Sequence, residues 1–276
     1  MPQISGANAQ RSGDEISRVE ELKRGVDSLR NAGCDFIEMS VLSVVDLTND
    51  EFSRFRAYLK ENEIEIEVFC SFVPPSIRLI GDDIDRSLIM RYIQKALSRC
   101  AACGAKVIVF GSGGARTRPE GFPKEQADRQ LLEFLRMCND CSGAMGLLVK
   151  IAIEPLNPAE ANMVTGIGEG YELWKKADAA GCRYIGLLAD SYHMHVCKDE
   201  IGDLKEMAKA LIHIHIADAD RKLPGKAENG FDFAAFFKAL KESGYSGRIS
   251  AECPMDDLQS DAKYCVDFAR GIWEQA

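Results

Sequence analysis

Three apolar runs of this 276-residue chain end in a carboxylate that a buried strand does not need: Leu147 to Glu154, Tyr184 to Asp190, and Arg248 to Glu252. A fourth run, Leu211-Ile-His-Ile-His-Ile-Ala217, alternates. In an extended chain His213 and His215 share one face and Ile212, Ile214 and Ile216 the other, so both imidazoles point inward, with His213 one layer deeper than His215. Three acids converging on one cavity repel one another, and like charges at short range cannot all ionise cheaply. A divalent cation resolves that conflict. Glu154, Asp190, His215 and Glu252 make a four-ligand set in which carboxylate oxygens and one imidazole nitrogen suit Mn²⁺, Mg²⁺ or Co²⁺ better than a thiolate-bound structural zinc. The four histidines of the chain, His193, His195, His213 and His215, all fall in this region. His193 follows Asp190 by three residues and Arg221 follows His215 by six, so both can reach a substrate hydroxyl or carbonyl oxygen above the ion.

The elements that must position these groups are legible as a repeat. Strands are predicted at Gln3 to Gly6, Asp35 to Ser40, Ile64 to Cys70, Lys106 to Phe110, Leu147 to Glu154, Tyr184 to Asp190, Leu211 to Ala217 and Arg248 to Cys253. Helical periodicity covers Glu15 to Asn31, Asp50 to Lys60, Asp85 to Cys103, Lys124 to Met145, Gly168 to Ala180, Ile201 to Ala210, Phe233 to Ser243 and Ser260 to Gln275. Gly33, Gly104, Gly181 and Gly244 each stand between a helix and the next strand, where a left-handed residue ends the helix and turns the chain. Eight strand–helix units with no Pro-, Gly- or Ser-rich linker predict one α/β domain over residues 1–276, a (β/α)8 TIM barrel. An open doubly wound sheet is the alternative, weakened by the lack of a GxGxxG loop after the first strand. In a barrel the C-terminal strand ends line one mouth, which is where the three acids end up.

Composition narrows the partners. With 46% apolar residues the chain can bury a core, which excludes bulk disorder. A net charge of −9 offers no general attraction to nucleic acid or anionic membrane, and no run reaches the ~18 consecutive apolar residues of a membrane span. The opening MPQISGANAQRSGDE lacks the basic and apolar regions of a signal peptide, so a cytoplasmic protein acting on a small molecule is expected. Of ten cysteines, Cys100 with Cys103 and Cys138 with Cys141 form CxxC pairs that raise a zinc site. The short spacings and knuckle turns of a zinc module are missing, and buried thiols acting as small hydrophobes are the better reading.

The stretches Glu154-Pro-Leu-Asn-Pro-Ala-Glu160 with Asn162 beyond it, Asp190-Ser-Tyr-His-Met194, His213-Ile-His-Ile-Ala-Asp-Ala-Asp-Arg221 running to Gly225, and Ser250-Ala-Glu252 resemble the xylose isomerase-like TIM barrels. The resemblance is closest to their D-tagatose and D-psicose 3-epimerase branch. It implies that Glu154, Asp190, His215 and Glu252 bind one divalent cation, Mn²⁺ first, with Mg²⁺ or Co²⁺ as alternatives. It further implies that Glu154 and Glu252 are the acid/base pair, that Glu160, His193 and Arg221 contact the sugar, and that the chain forms a homo-oligomer, a dimer or tetramer. His195 after the His-Met pair and the Asp-Ala-Asp loop at 218–220 depart from the family pattern.

The implied chemistry is inversion at C3 of a free ketose through a cis-enediolate. A Lewis acid stabilises the negative charge on neighbouring oxygens, while two carboxylates on opposite faces of the carbon exchange its proton. An aldose–ketose or hydroxypyruvate-type isomerase and an inosose dehydratase would use the same metal set, and a sugar-binding protein is the non-catalytic alternative. Endonuclease IV shares the barrel but needs a histidine-rich multi-metal centre, which four histidines in a chain of charge −9 argue against. Gly111-Ser-Gly-Gly114 could be either an anion nest for a phosphorylated sugar, with Arg116 and Arg118 nearby, or a flexible mouth loop.

Overall fold

The computed structural model describes residues 17–276, and the strand expected at Gln3 to Gly6 lies outside them. Seven strands follow: β1 (Ile37–Ser40), β2 (Ile66–Cys70), β3 (Val107–Phe110), β4 (Lys150–Ile153), β5 (Ile185–Asp190), β6 (Leu211–Ile216) and β7 (Arg248–Ala251). All pair in parallel in the order β1 to β7, each strand beside its sequence neighbour. That order, with a helical connection between successive strands, is the α/β arrangement of a TIM barrel. The described sheet curls until its ends meet through side chains. Arg248 of β7 donates to Glu67 of β2 at 2.9 and 3.0 Å, and Ser250 of β7 hydrogen-bonds Glu38 of β1.

The helices are α1 (Arg18–Asn31), α2 (Leu42–Val45), α3 (Asn49–Glu61), α4 (Arg86–Ala102), α5 (Lys124–Ala144), α6 (Gly166–Ala179), α7 (Ser191–Cys197), α8 (Phe233–Glu242) and α9 (Leu258–Gln275). Side-chain caps fix several starts: Thr48 and Glu51 form a reciprocal capping box on α3, and Asp85, Asp232 and Asp257 accept backbone N–H groups on α4, α8 and α9. The four glycines read as helix stops all have positive φ: 82° at Gly33, 103° at Gly104, 81° at Gly181 and 77° at Gly244.

One prediction of local structure changes, and two short helices are added. The helix expected over Ile201 to Ala210 is only a 3₁₀ turn at Ile201–Lys205 followed by further turns. α2 and α7 have no counterpart in the periodicity, because at four and seven residues neither is long enough to show one.

Between sheet and helices lies a continuous apolar layer. Phe233, Phe236, Phe237 and Leu240 of α8 are buried together, as their spacing predicts, and Phe236 packs edge-on against Phe231 at 5.2 Å. Cys100, Cys103, Cys138 and Cys141 are buried and unpaired within this layer, and among the described residues no metal-capable cluster contains a cysteine. They act as small hydrophobes. No helix among the described residues is long and apolar enough to cross a membrane.

Because Phe236 is fully buried in this layer, Phe236→Ala should cost about 3–5 kcal/mol, read as a lowered midpoint of urea unfolding. A midpoint equal to that of the unaltered protein would show that the layer relaxes into the cavity.

Candidate metal centre

The mouth of the sheet carries the predicted acids. Glu154 and Glu252 stand one residue beyond β4 and β7, and their backbone N–H groups still donate to the preceding strand, at 3.1 Å to Phe110 and 3.0 Å to Ile216. Asp190 is the last residue of β5 and also caps α7, its Oδ1 accepting the His193 N–H at 3.0 Å. His215 sits on β6 in register with Asp190 on one side and Ser250 on the other.

These four side chains converge. His215 Nδ1 lies 3.0 Å from Glu154 Oε1, 3.3 Å from Glu252 Oε2 and 3.7 Å from Asp190 Oδ2. One ligand atom from each lies within 4.8 Å of all the others, and all four residues are buried. A single imidazole nitrogen can serve three carboxylates with one proton at most, so the set fits a divalent cation far better than it fits itself. Burial and the charge of Glu252 push Glu154 above the usual carboxylate range. Burial pulls Glu252 the same way, but the charge and hydrogen bond of His215 outweigh it and bring Glu252 to about 2. Burial also opposes a charged imidazole at 215, yet Glu38 and Glu252 together overcome it and hold His215 well above the usual histidine range.

The backbone beneath Glu154 is held by Arg116, whose fully buried guanidinium donates to the carbonyls of Phe110, Glu154 and Val164 at 3.2, 3.0 and 3.3 Å. Burial draws Arg116 down to about 10. Arg118 donates to the Phe122 carbonyl at 2.8 Å. The glycines between β3 and Arg116 are neither an open nest nor a loose loop. A Cβ on Gly111 would stand 2.2 Å from Glu154 Oε2, and one on Gly113 would stand 2.5 Å from the Glu160 carbonyl oxygen. A phosphate placed there would meet a carboxylate, with both arginines already committed to carbonyls.

The three residues expected to contact substrate gather beside the centre. Arg221 Nη1 donates to Glu160 Oε1 at 2.6 Å, its Nη2 lies 3.9 Å from Glu252, and its guanidinium stacks 5.0 Å above the Tyr192 ring. His193 is 2% exposed, and its Nδ1 accepts from the Asn157 backbone N–H at 3.1 Å. The neutral ring therefore carries its proton on Nε2, which has no partner among the described residues. Asp218 and Asp220 do not pair with Arg221. Asp218 accepts four backbone N–H groups, from Ala219, Lys226, Ala227 and Phe231, and so builds the turn that carries Arg221, while Asp220 pairs with Lys222. His195 is exposed on α7, and Asn162 ties the backbone of Arg118 rather than facing the centre.

Three residues escaped the sequence reading. Asn157 links Glu160, at 2.8 Å, to His193, and its signal was its place inside the Glu154 to Glu160 motif. Tyr192 supports Arg221 from inside the Asp190 to Met194 motif. Glu38, buried on β1, lies 3.1 Å from His215 and 3.0 Å from His213, and its only signal was an acid in the middle of an apolar strand.

Fold and site together define a class. Residues 26–270 match the xylose isomerase-like TIM barrel, and the chain belongs to that family. Within it, the chain is 29% identical over 206 residues to a probable ketose 3-epimerase of Synechocystis sp., covering 72% of this chain and 68% of that one. It is 27% identical over 246 residues to an L-ribulose 3-epimerase of Mesorhizobium japonicum, covering 86% and 76%. The crystal structure of a D-allulose 3-epimerase from Methylomonas sp. superposes with a TM-score of 0.80 at 18% identity, over 94% of this chain and 93% of that one.

Since a methyl on Gly111 has nowhere to go but into the Glu154 carboxylate, Gly111→Ala should weaken Mn²⁺ binding at least tenfold, on the ~10–100-fold scale of disturbed ligand support, while the far-ultraviolet circular dichroism stays unchanged. Titration calorimetry with Mn²⁺ checks this, and unaltered affinity would mean that Glu154 has room to move.

Proposed function

We propose that this chain is a divalent-metal-dependent ketose 3-epimerase acting on an unphosphorylated sugar. The observation that carries the reading is that Glu154 and Glu252, from the ends of the non-adjacent strands β4 and β7, reach the same His215 nitrogen, within 3.0 and 3.3 Å. Glu154, Asp190, His215 and Glu252 hold the cation, Mn²⁺ in the first instance with Mg²⁺ or Co²⁺ as substitutes. A bound cation supplies Lewis-acid stabilisation of negative charge developing on adjacent sugar oxygens.

The protein's own groups do the rest. One glutamate, ionised, takes the proton from C3 of the ketose, and the bonding pair moves into the C2 carbonyl to give a cis-enediolate. The other glutamate, protonated, returns a proton to C3 from the opposite face and the carbonyl re-forms with C3 inverted. No electron leaves the sugar and no group is transferred, and the two glutamates exchange roles when the reaction runs backward. Burial and the charge of Glu252 raise the carboxyl at 154 while His215 lowers the one at 252, so the two differ in basicity, as an acid/base pair requires. His193 offers its unpartnered Nε2–H to a sugar oxygen, and the Glu160–Arg221 pair, joined to His193 through Asn157, grips the sugar's hydroxyl groups. The carboxylate behind Gly111 supports a neutral rather than a phosphorylated substrate. The enzyme works as one barrel domain, in the cytoplasm, as a dimer or tetramer.

Metal-loaded protein incubated with ketohexoses, ketopentoses and their phosphates in D₂O should incorporate deuterium at C3 of an unphosphorylated ketose and form its C3 epimer by NMR. Deuterium at C1 or C2 with an aldose product would replace this reading by an isomerase. Absence of exchange in every sugar would leave dehydration or simple binding. Glu154→Gln and Glu252→Gln should each lower turnover by at least about 10²-fold, the scale of positioned acid/base catalysis, and near-normal rates in either would remove that residue from the pair.

A further inference from the structure

The nitrogen donor of the centre has an acid behind it. Glu38 of β1 is 3% exposed, and the groups that hydrogen-bond its carboxylate come from β6 and β7. Its Oε1 lies 3.1 Å from His215 Nε2, and its Oε2 lies 3.0 Å from His213 Nε2 and in hydrogen-bond contact with Ser250 Oγ. Ser250 Oγ is also 3.0 Å from His213 Nε2. An ionised carboxylate only accepts, so each of these neighbours donates to it. His215 therefore carries a proton on Nε2. A neutral imidazole protonated there has its lone pair on Nδ1, the nitrogen around which Glu154, Asp190 and Glu252 gather. The other tautomer would set a bare lone pair against a carboxylate oxygen and aim an N–H at a cation. His213 follows the same logic, since its Nδ1 is buried without a partner among the described residues.

Burying a carboxylate is costly unless every lone pair has work, and among the described residues no lysine or arginine pairs with it. What this acid accomplishes must be sought in the histidines it binds. Glu38, His213 and His215 also bring ligand atoms within 4.8 Å of one another, which raises a second ion as the competing explanation. For that ion His215 would have to surrender both ring protons and bridge two cations, whereas the donors already surrounding Glu38 satisfy it without one.

We propose that Glu38 is the positioning residue of the metal centre: by accepting the Nε2–H of His215 it sets the tautomer and ring direction that present Nδ1 to the cation, with His213 and Ser250 holding the carboxylate in place. The inference rests on Glu154, Asp190, His215 and Glu252 being the cation's ligands. It assigns Glu38 no contact with sugar or ion.

Two measurements test it. In the full chain labelled with ¹⁵N in its histidine rings and loaded with Zn²⁺ as a diamagnetic probe, His215, assigned by its loss in His215→Asn, should show a protonated Nε2 and a metal-bound Nδ1. The reverse pattern overturns the proposal, and this readout needs no variant at position 38. Mn²⁺ affinity, from the paramagnetic resonance of the free ion, should fall about 10- to 100-fold in Glu38→Gln and less in Glu38→Asp, the range for losing a partner behind a ligating histidine. Ser250→Ala should weaken binding by a smaller factor, and it decides the question together with the ¹⁵N pattern if Glu38→Gln does not fold. Unchanged Mn²⁺ affinity in Glu38→Gln and Ser250→Ala, or a second Mn²⁺ per chain in the unaltered protein, overturns the proposal. If the unaltered protein binds no Mn²⁺, the reading of the four ligands falls as well. If it binds one that Glu154→Gln loses and Glu38→Gln keeps, only the role of Glu38 falls.

Discussion

The structure is organised around a surplus of buried negative charge. Glu38, Glu154, Asp190 and Glu252 all approach one imidazole, His215, whose two nitrogens are divided between Glu38 on one side and the other three on the opposite side. Glu38 is satisfied by His213, His215 and Ser250, but one imidazole nitrogen cannot neutralise the three carboxylates that share it, Glu154, Asp190 and Glu252. Such a cluster of buried carboxylates around one imidazole is a donor set that a divalent cation fits.

Strand ends and connections carry different groups. The groups that converge on His215 Nδ1 come from strand ends still tied to their neighbours by backbone hydrogen bonds, which confines each carboxylate to a small volume. The groups that gather beside this cluster come from the connections. Glu160 and Asn157 lie in the segment after β4, His193 and Tyr192 on the short helix after β5, and Arg221 on a turn knitted by Asp218. Arg116 joins the two levels, because its guanidinium ties the end of β3, the backbone of Glu154 and the far end of the 154–164 segment. In barrels generally, groups at strand ends sit on the scaffold while the loops carry variation.

Much of this was legible residue by residue. Seven of the predicted strands appear within a few residues of their expected bounds, since apolar runs bounded by glycine turns leave little freedom. Alternation in Leu211 to Ala217 placed His215 at the mouth and His213 a layer below, as found. The failures have common causes. α7 was too short to show a period, although it carries His193. The 201–210 segment has apolar residues at helical spacing but forms only turns, local pattern yielding to the packing of its surroundings. Gly111 to Gly114 read as either an anion nest or a flexible loop, and glycines 111 and 113 are instead places where Glu154 and Glu160 come too close for a side chain.

Glu38 and Glu67 mark the boundary between what sequence and tertiary structure decide. Each is a glutamate within a short apolar strand, Ile37–Ser40 or Ile66–Cys70, and nothing local separates them. In the folded chain Glu67 pairs with Arg248 at the half-exposed rim, while Glu38 is enclosed against His213, His215 and Ser250, more than 170 residues further along the chain. The sequence by itself determined the repeat, the fold it closes into and the strand-end acids, because periodicity and turn chemistry act over a few residues. Which acid stands behind His215, and which glycine makes room for the Glu154 carboxylate, depended on the register and curvature of strands far apart in the chain. Those contacts exist only once the sheet has curled.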